Sequence, residues 1–365
     1  MSENGKLPSL RIGRLEAENN IVLGGMSQGV TGAELSAAVA NNGGYGTIGG
    51  VGLGITPEMK GSKNYLKANK LALETVIREG LERSDNGNVG VNLMVVATDY
   101  EESVEVAVKN GIKYIASGAG LPLILPNLVE KYKVKGEKTP ELIPIISSVR
   151  AAKIIIERWK RYGVLPSAIV VETPNHAGGH LGVTNPDDIG KEEFELDYVI
   201  PRLIEYLKNN KYDIPVIAAG GVWDRSDNDR MRELGASGVQ MSTRFLSTEE
   251  CGATQAFKDY HMNTTDKIVI MKSPVGMPGR AYENEFVKRT DAGELIDLGP
   301  CVACLKHCEH KGDKLSRYCI IRSLDNVHGG KVNNGVLFTG DNGYRLKEDP
   351  YINTSTARIM KELTK

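Results

Sequence analysis

Residues 216–245 read VIAAGGVWDRSDNDRMRELGASGVQMSTRF. An apolar run, Val216 to Ala219, ends in Gly220-Gly221; a polar stretch of helical period follows; a second apolar run, Gly238 to Met241, ends in Ser242-Thr243. A strand, a helix and a returning strand make a parallel pair, because the crossover brings the chain back to the edge from which it started. The same unit recurs upstream. Strands are predicted at Ile21–Leu23, Gly46–Ile48, Val89–Leu93, Tyr114–Ser117, Ile143–Ser147 and Ala168–Glu172. Helices are predicted at Gly32–Asn42, Tyr65–Arg83, Tyr100–Lys109, Leu123–Tyr132, Val149–Tyr162, Leu196–Asn209 and Asp227–Leu234. Periodicity alone also admits an open, doubly wound sheet. The number of units favours an α/β fold closed as a (β/α)8 TIM barrel. So do the glycines that follow strands, at Gly24-Gly25, Gly118, Gly178-Gly179 and Gly220-Gly221, since such a barrel builds its site at the C-terminal ends of its strands. The sequence itself does not repeat, which argues against a solenoid.

The length of 365 residues, 41% hydrophobic and 25% charged, fits one barrel plus an extension. The barrel is expected over residues 10–266 and the cysteine-containing extension over 267–365, because the alternation stops near Lys267 and Gly, Asn, charge and Cys take over. Lys272–Arg280, with Pro274, Gly276, Pro278 and Gly279, reads as an ordered loop returning over the barrel, and a last helix is expected over Ser355–Leu363. A net charge of -1 offers no footprint for nucleic acid or an anionic membrane. Met1–Leu10 is polar, and no apolar run approaches the ~18 residues of a membrane span, so a cytoplasmic location is expected.

The last two strands of a barrel commonly offer backbone N–H groups to a phosphate, which makes Gly220, Gly221, Ser242 and Thr243 phosphate-binding candidates. Each motif alone reads equally well as a tight turn; their order and spacing favour the phosphate. His176-Ala177-Gly178-Gly179-His180 follows the strand AIVVE. Histidines four apart on a helix would suggest zinc, but the glycines and Pro174 disfavour a helix there. His180 is therefore expected on a loop, where an imidazole can donate or accept a proton. The alternative is a histidine that only ties down its loop.

Taken together, GGMSQGVTGAELSAAVANNGGYGTIG, VGVNLMV, HAGGHLG, and AAGGVWD followed by GASGVQMSTRFLSTEE resemble the nitronate monooxygenase superfamily over roughly residues 10 to 290. That group, formerly called 2-nitropropane dioxygenases, includes the FMN-dependent enoyl-acyl-carrier-protein reductases of type II. The resemblance implies FMN on the C-terminal face, Gly25, Met26 and Ser27 along one side of the flavin, and Asn92 near its polar edge. It also implies cofactor contacts at Gly178, Gly179 and Gln240, phosphate contacts at Gly220, Gly221, Ser242 and Thr243, and a catalytic His180. Two positions depart from the family pattern. His176 stands where the family has Glu, and Ser242 where it has Gly; the second change is tolerable if that backbone has negative φ.

Four of the five cysteines fall in Cys301-x2-Cys304-x3-Cys308-x10-Cys319. Four soft thiolates can close around a metal, and the spacing resembles the iron-sulfur segment of the flavin-dependent 2,4-dienoyl-CoA reductases. A 4Fe-4S cluster is the first expectation and zinc the second, with His307 or His310 as substitute ligands. Metal is expected to order a tail otherwise poor in apolar area, and Cys251 is expected to pack in a barrel helix. Three functions follow as expectations: reduction of an activated alkene such as an enoyl thioester, oxidation of nitronates with O2, or an electron-transfer or sensor module. A small-molecule substrate is expected, with a ferredoxin-like, flavodoxin-like or NAD(P)H electron donor; homo-oligomerisation stays open.

Overall fold

A computed structural model describes residues 6–56, 58–59, 61–309 and 317–365. Eight parallel strands form one sheet: β1 (Ile21–Leu23), β2 (Gly46–Gly49), β3 (Val89–Met94), β4 (Tyr114–Gly118), β5 (Glu141–Ile146), β6 (Ile169–Glu172), β7 (Val216–Ala219) and β8 (Gly238–Met241). From β2 to β8 each strand pairs with its sequence neighbour, and β8 pairs with β1 through Val239 and Ile21. The ring closes where Leu23 N donates to Tyr45 O at 2.8 Å and Tyr45 N donates to Ile21 O at 2.9 Å. The sheet is therefore a barrel and not a doubly wound sheet.

Alternation along the strands divides two cores. Val22, Ala116, Ile143, Val170 and Ile217 face inward, where Leu10 and Ile12 of an N-terminal hairpin plug the barrel floor. Burying each of those two side chains stabilises the closed end by roughly 1.5–3 kcal/mol. Their neighbours Ile21, Val91, Val171 and Val239 face outward against the helices.

The helices that follow the strands are α1 (Ala33–Asn41), α2 (Ser62–Glu82), α3 (Tyr100–Lys109), α4 (Leu125–Tyr132), α5 (Val149–Lys160), α6 (Leu196–Asn209), α7 (Arg225–Glu233) and α8 (Gln255–Asn263). Caps fix several starts. Ser148 accepts from Ala151 N before α5, and Asp224 and Asp227 form a capping box on α7. Cys251 lies between a 3-10 turn and α8, buried but not in the helix expected for it, because the chain becomes helical only from Gln255.

The extension is less separate than its composition implies. Lys272–Arg280 is not a loop but most of a hairpin, Ile268–Lys272 with Pro278–Tyr282, whose second strand pairs with Gly179–His180. The tail also contributes Tyr282, Val327, Leu337, Ile359, Met360 and Leu363 to the barrel's outer core. A further cluster of Phe286, Val302, Tyr318, Ile320, Ile321 and Val336 gives it apolar area that the scattered charges hid. Within it lie α9 (Glu285–Asp291), α10 (Ile320–His328) and α11 (Thr356–Leu363), the last close to the expected Ser355–Leu363. Among the described residues no helix is long and apolar enough to cross a membrane.

Candidate functional site

Every residue singled out for the cofactor or the chemistry sits at the C-terminal end of a strand or just beyond it: Gly25–Ser27 after β1, Asn92 in β3, Gly178–His180 after β6, Gly220-Gly221 after β7, Gln240 in β8 and Ser242-Thr243 after it. They share one face of the barrel. Contacts join them in two groups. A Cβ on Gly25 would stand 2.5 Å from Asn92 Cβ, so only glycine lets the β1 turn lie against β3. On the other side Gly220 and Gly221, at φ +94° and +73°, pack against His176 and Ala177. Ser242 has φ -133°, outside the left-handed region that favours glycine, so a serine side chain is tolerated there.

The inward positions at this end carry polar groups. Val170 points into the barrel, so period two puts Glu172 there as well; Asn92 and Gln240 alternate with outward Val91 and Val239 in the same way. Among the described residues none of these three side chains makes a hydrogen bond within the protein. Burial pushes the Glu172 carboxyl up to about 7. Thr173 Oγ1, one residue on, is buried without a partner among the described residues. Polar side chains without protein partners at the rim of an apolar core fit a polar ligand seated over them. Glu172 escaped the sequence reading, although alternation within AIVVE already places it on the inward side.

His180 is held by the extension. Its Nε2 shares a 2.8 Å hydrogen bond with Ser273 Oγ, and its ring meets Phe338 edge-on at 5.0 Å. Tyr318 reaches the same corner, donating to Lys272 O at 3.4 Å. The ring keeps some accessible surface yet lies deep among protein atoms, and that burial lowers its pKa to about 4. His180 is thus neutral at physiological pH. It occupies a two-residue strand, where a loop was expected. Ser273, Tyr318 and Phe338 had no local signal, since they meet His180 only through the hairpin fold.

His176 is the centre of an ionic group. Its Nδ1 lies 2.5 Å from Asp341 Oδ2 and its Nε2 3.0 Å from Glu195 Oε2. The Asp341 bond raises its pKa, with Glu195 adding to the effect and burial opposing it.

The cysteine segment lies on the same face, stitched to the loop after β3 by Thr98 N donating to Cys304 O at 2.9 Å and Thr98 Oγ1 donating to Ala303 O at 2.7 Å. Ala303, at φ 51°, turns its N–H to Cys301 Sγ at 3.3 Å. Burial pushes the Cys304 thiol up, and the nearby Cys319, Cys308 and Cys301 push it further. The metal site expected from the spacing is not assembled, however: among the described residues no three His, Cys, Asp or Glu side chains are disposed to hold an ion. His310 lies outside the described residues.

A groove of about 760 Å³ runs outside the barrel between α5 and α6, lined by Arg150, Lys153, Tyr198 and Arg202, and contains none of the residues above.

A closed parallel barrel with its glycine and Ser-Thr turns gathered at the C-terminal ends of the strands has the architecture of a barrel enzyme with its site on that face. The nitronate monooxygenase family profile matches residues 12–365, extension included, and the chain belongs to that family. A probable nitronate monooxygenase of Staphylococcus haemolyticus is 30% identical over 300 residues, 75% of this chain and 78% of the relative. A (3aS,4S,5R,7aS)-5-hydroxy-7a-methyl-1-oxo-octahydro-1H-indene-4-carboxyl-CoA dehydrogenase of Mycobacterium tuberculosis is 27% identical over 277 residues, 76% of this chain and 66% of the relative. In fold, the structure of FabK from Thermotoga maritima superposes with a TM-score of 0.68 at 22% identity, covering 95% of this chain and 92% of FabK.

Proposed function

We propose that the barrel mouth binds FMN and that the enzyme reduces an activated alkene, such as an enoyl thioester. The observation carrying the cofactor assignment is the trio Asn92, Glu172 and Gln240, polar and without partners among the described residues, beneath the two phosphate-type turns. Asn92, Glu172 and Gln240 would face the polar parts of the flavin, and Gly220, Gly221, Ser242 and Thr243 its phosphate. When bound, FMN supplies a hydride to the β-carbon, and a proton completes the reduction at the α-carbon. A neutral His180 is a poor store of that proton. With the Ser273 hydroxyl donating to Nε2, its remaining N–H makes no hydrogen bond among the described residues and can stabilise negative charge growing on the thioester oxygen. The CoA thioester named for the mycobacterial relative supports this substrate class.

The family name and the staphylococcal relative favour a second reading, oxidation of alkyl nitronates with O2. Steady-state assays decide between them: consumption of an enoyl-CoA by the reduced, anaerobic enzyme supports the first, and turnover of a nitronate with oxygen uptake and no enoyl reduction replaces it. A protein that holds flavin but turns over neither would point to electron transfer or sensing.

The reading treats residues 10–266 and 267–365 as one working unit, and extends to a 4Fe-4S cluster on Cys301, Cys304, Cys308 and Cys319. Four thiols within electrostatic reach of one another and the N–H donated to Cys301 Sγ support the cluster; no catalytic step is routed through it. A small-molecule substrate and a ferredoxin-like, flavodoxin-like or NAD(P)H donor complete the proposal.

A further inference from the structure

We propose that His176, clamped as an imidazolium between Glu195 and Asp341, is a positioning residue that pins the C-terminal turn Gly340–Asn342 onto both phosphate-binding turns, so that the grip on a flavin phosphate weakens as pH rises. The inference rests on the FMN reading above and deepens it.

The geometry dictates the charge. Carboxylates only accept hydrogen bonds, and one faces each ring nitrogen of His176. A neutral imidazole has a single N–H, so one nitrogen would turn its lone pair toward a carboxylate; only the doubly protonated ring satisfies both. The raised pKa, caused first by Asp341, agrees with this assignment.

The ring also lies against the phosphate turn, since a Cβ on Gly221 would be 3.3 Å from His176 Cβ and Cγ. The turn bearing Asp341 grips both candidate loops. Asn342 Nδ2 donates to Gly221 O at 2.8 Å, and Gly340 N donates to Thr243 Oγ1 at 3.2 Å. These bonds join the turns after β7 and β8 to a segment more than ninety residues downstream.

The surrounding charges set the direction of the pH effect. Besides Glu195 and Asp341, the buried Arg280 guanidinium faces Asp341 while donating to Pro174 O at 3.2 Å and Asn175 O at 2.9 Å. Arg345, further along the same segment, is engaged by Asp224 and Asp227. With His176 protonated, two carboxylates balance an imidazolium and a guanidinium. Loss of the His176 proton leaves a net negative group behind the turn that must hold a phosphate, and Asp341 Oδ1, buried without a partner, gains no compensation. A histidine whose folded pKa is raised contributes fully below its ordinary value of about 6.5 and loses that contribution as pH climbs through the raised value. The window therefore lies above the ordinary histidine range.

The test uses the holoenzyme and flavin fluorescence to measure the FMN dissociation constant from pH 7 to 9.5, where the phosphate ester, with a second pKa of about 6, is already mostly dianionic. Wild type should weaken roughly ten- to a hundredfold across the range, as expected for loss of a charge-assisted hydrogen bond. His176→Gln should bind weakly and evenly at all pH values, Asp341→Asn should move the transition to lower pH, and riboflavin, without phosphate, should show no transition. A wild-type affinity that is tight and flat with pH, or a folded His176→Gln protein matching wild type at pH 7, overturns the pin but leaves FMN binding intact. Absence of FMN from wild type at pH 7 overturns the cofactor reading and the pin with it.

Discussion

Arg244 follows Thr243, the residue proposed to hold a phosphate, and it is almost wholly buried. Its Nε donates to Asp349 Oδ2 at 2.8 Å, one Nη to Glu362 Oε2 and Trp223 O at 2.8 and 2.9 Å, and the guanidinium lies between the Trp223 and Tyr351 rings. The Asp349 side chain is 2% exposed and that of Glu362 25%. Substituting Arg244→Met keeps the apolar volume but strands the Asp349 carboxylate, whose remaining hydrogen bond comes from Tyr351 N at 2.9 Å. Stranding one member of a buried pair costs about 3–5 kcal/mol. Glu362, partly solvated, adds little. For a chain of this length that loss lowers Tm by roughly 4–6 °C. Urea denaturation followed by circular dichroism, with FMN in excess, measures it directly. Arg244→Met combined with Asp349→Leu should recover most of the loss, because removing both charges of a buried pair is often close to neutral. A single-variant loss below about 1 kcal/mol would refute the reasoning, since it would mean that water reaches Asp349 and no charge is stranded.

His180→Ala should keep its flavin and lose roughly 100- to 1,000-fold in turnover, the cost of removing one donor to a developing oxyanion, checked by steady-state rates beside the bound absorption spectrum. Because burial holds the folded pKa of His180 at about 4, unfolded chains take up its proton first as pH falls below about 6.5; stability should decline from there toward pH 4, and less steeply in His180→Phe, as urea midpoints would show. Gly221→Asp places a charge beside the phosphate turn at a left-handed residue, so flavin content should drop sharply in a protein that still folds; unchanged content would move the phosphate elsewhere. Anaerobically prepared protein should carry about four iron and four sulfide, reduced in Cys304→Ser, whereas about one zinc without sulfide would establish a structural site.

The barrel was legible because its information is local. β1, β7 and β8 run as the apolar stretches before their glycine and Ser-Thr turns indicate, and α3 and α6 match the periodic segments, α6 passing through Pro201. Strand ends were less clear: β5 starts at Glu141, an inward polar residue tied to Arg14 and Ser167 that a hydrophobicity reading leaves outside the strand. The candidate site was half legible. Gly220, Gly221, Ser242 and His180 stand where chain order put them, but Ser273 reaches His180 across 93 residues and Asp341 reaches His176 across 165. No period encodes such meetings. The hairpin at Ile268–Tyr282 was missed because Pro274, Gly276 and Pro278 read as punctuation, although they fall at its turn and at the head of its second strand.

The packing of α11 bears on the life of the chain during synthesis. Met360 reaches Gly44, just after α1, so that a segment made late closes over one made early. A nascent chain can pair β1 to β8 while still tethered, but His180 gains Ser273 only after the hairpin emerges, and the turn over Gly221 waits for Asn342. Domains form from the N-terminus outward at the pace of the ribosome, about 5–20 residues each second. The barrel therefore spends several seconds with its mouth unroofed, and its contacts with the extension are complete only after Asn342 has emerged.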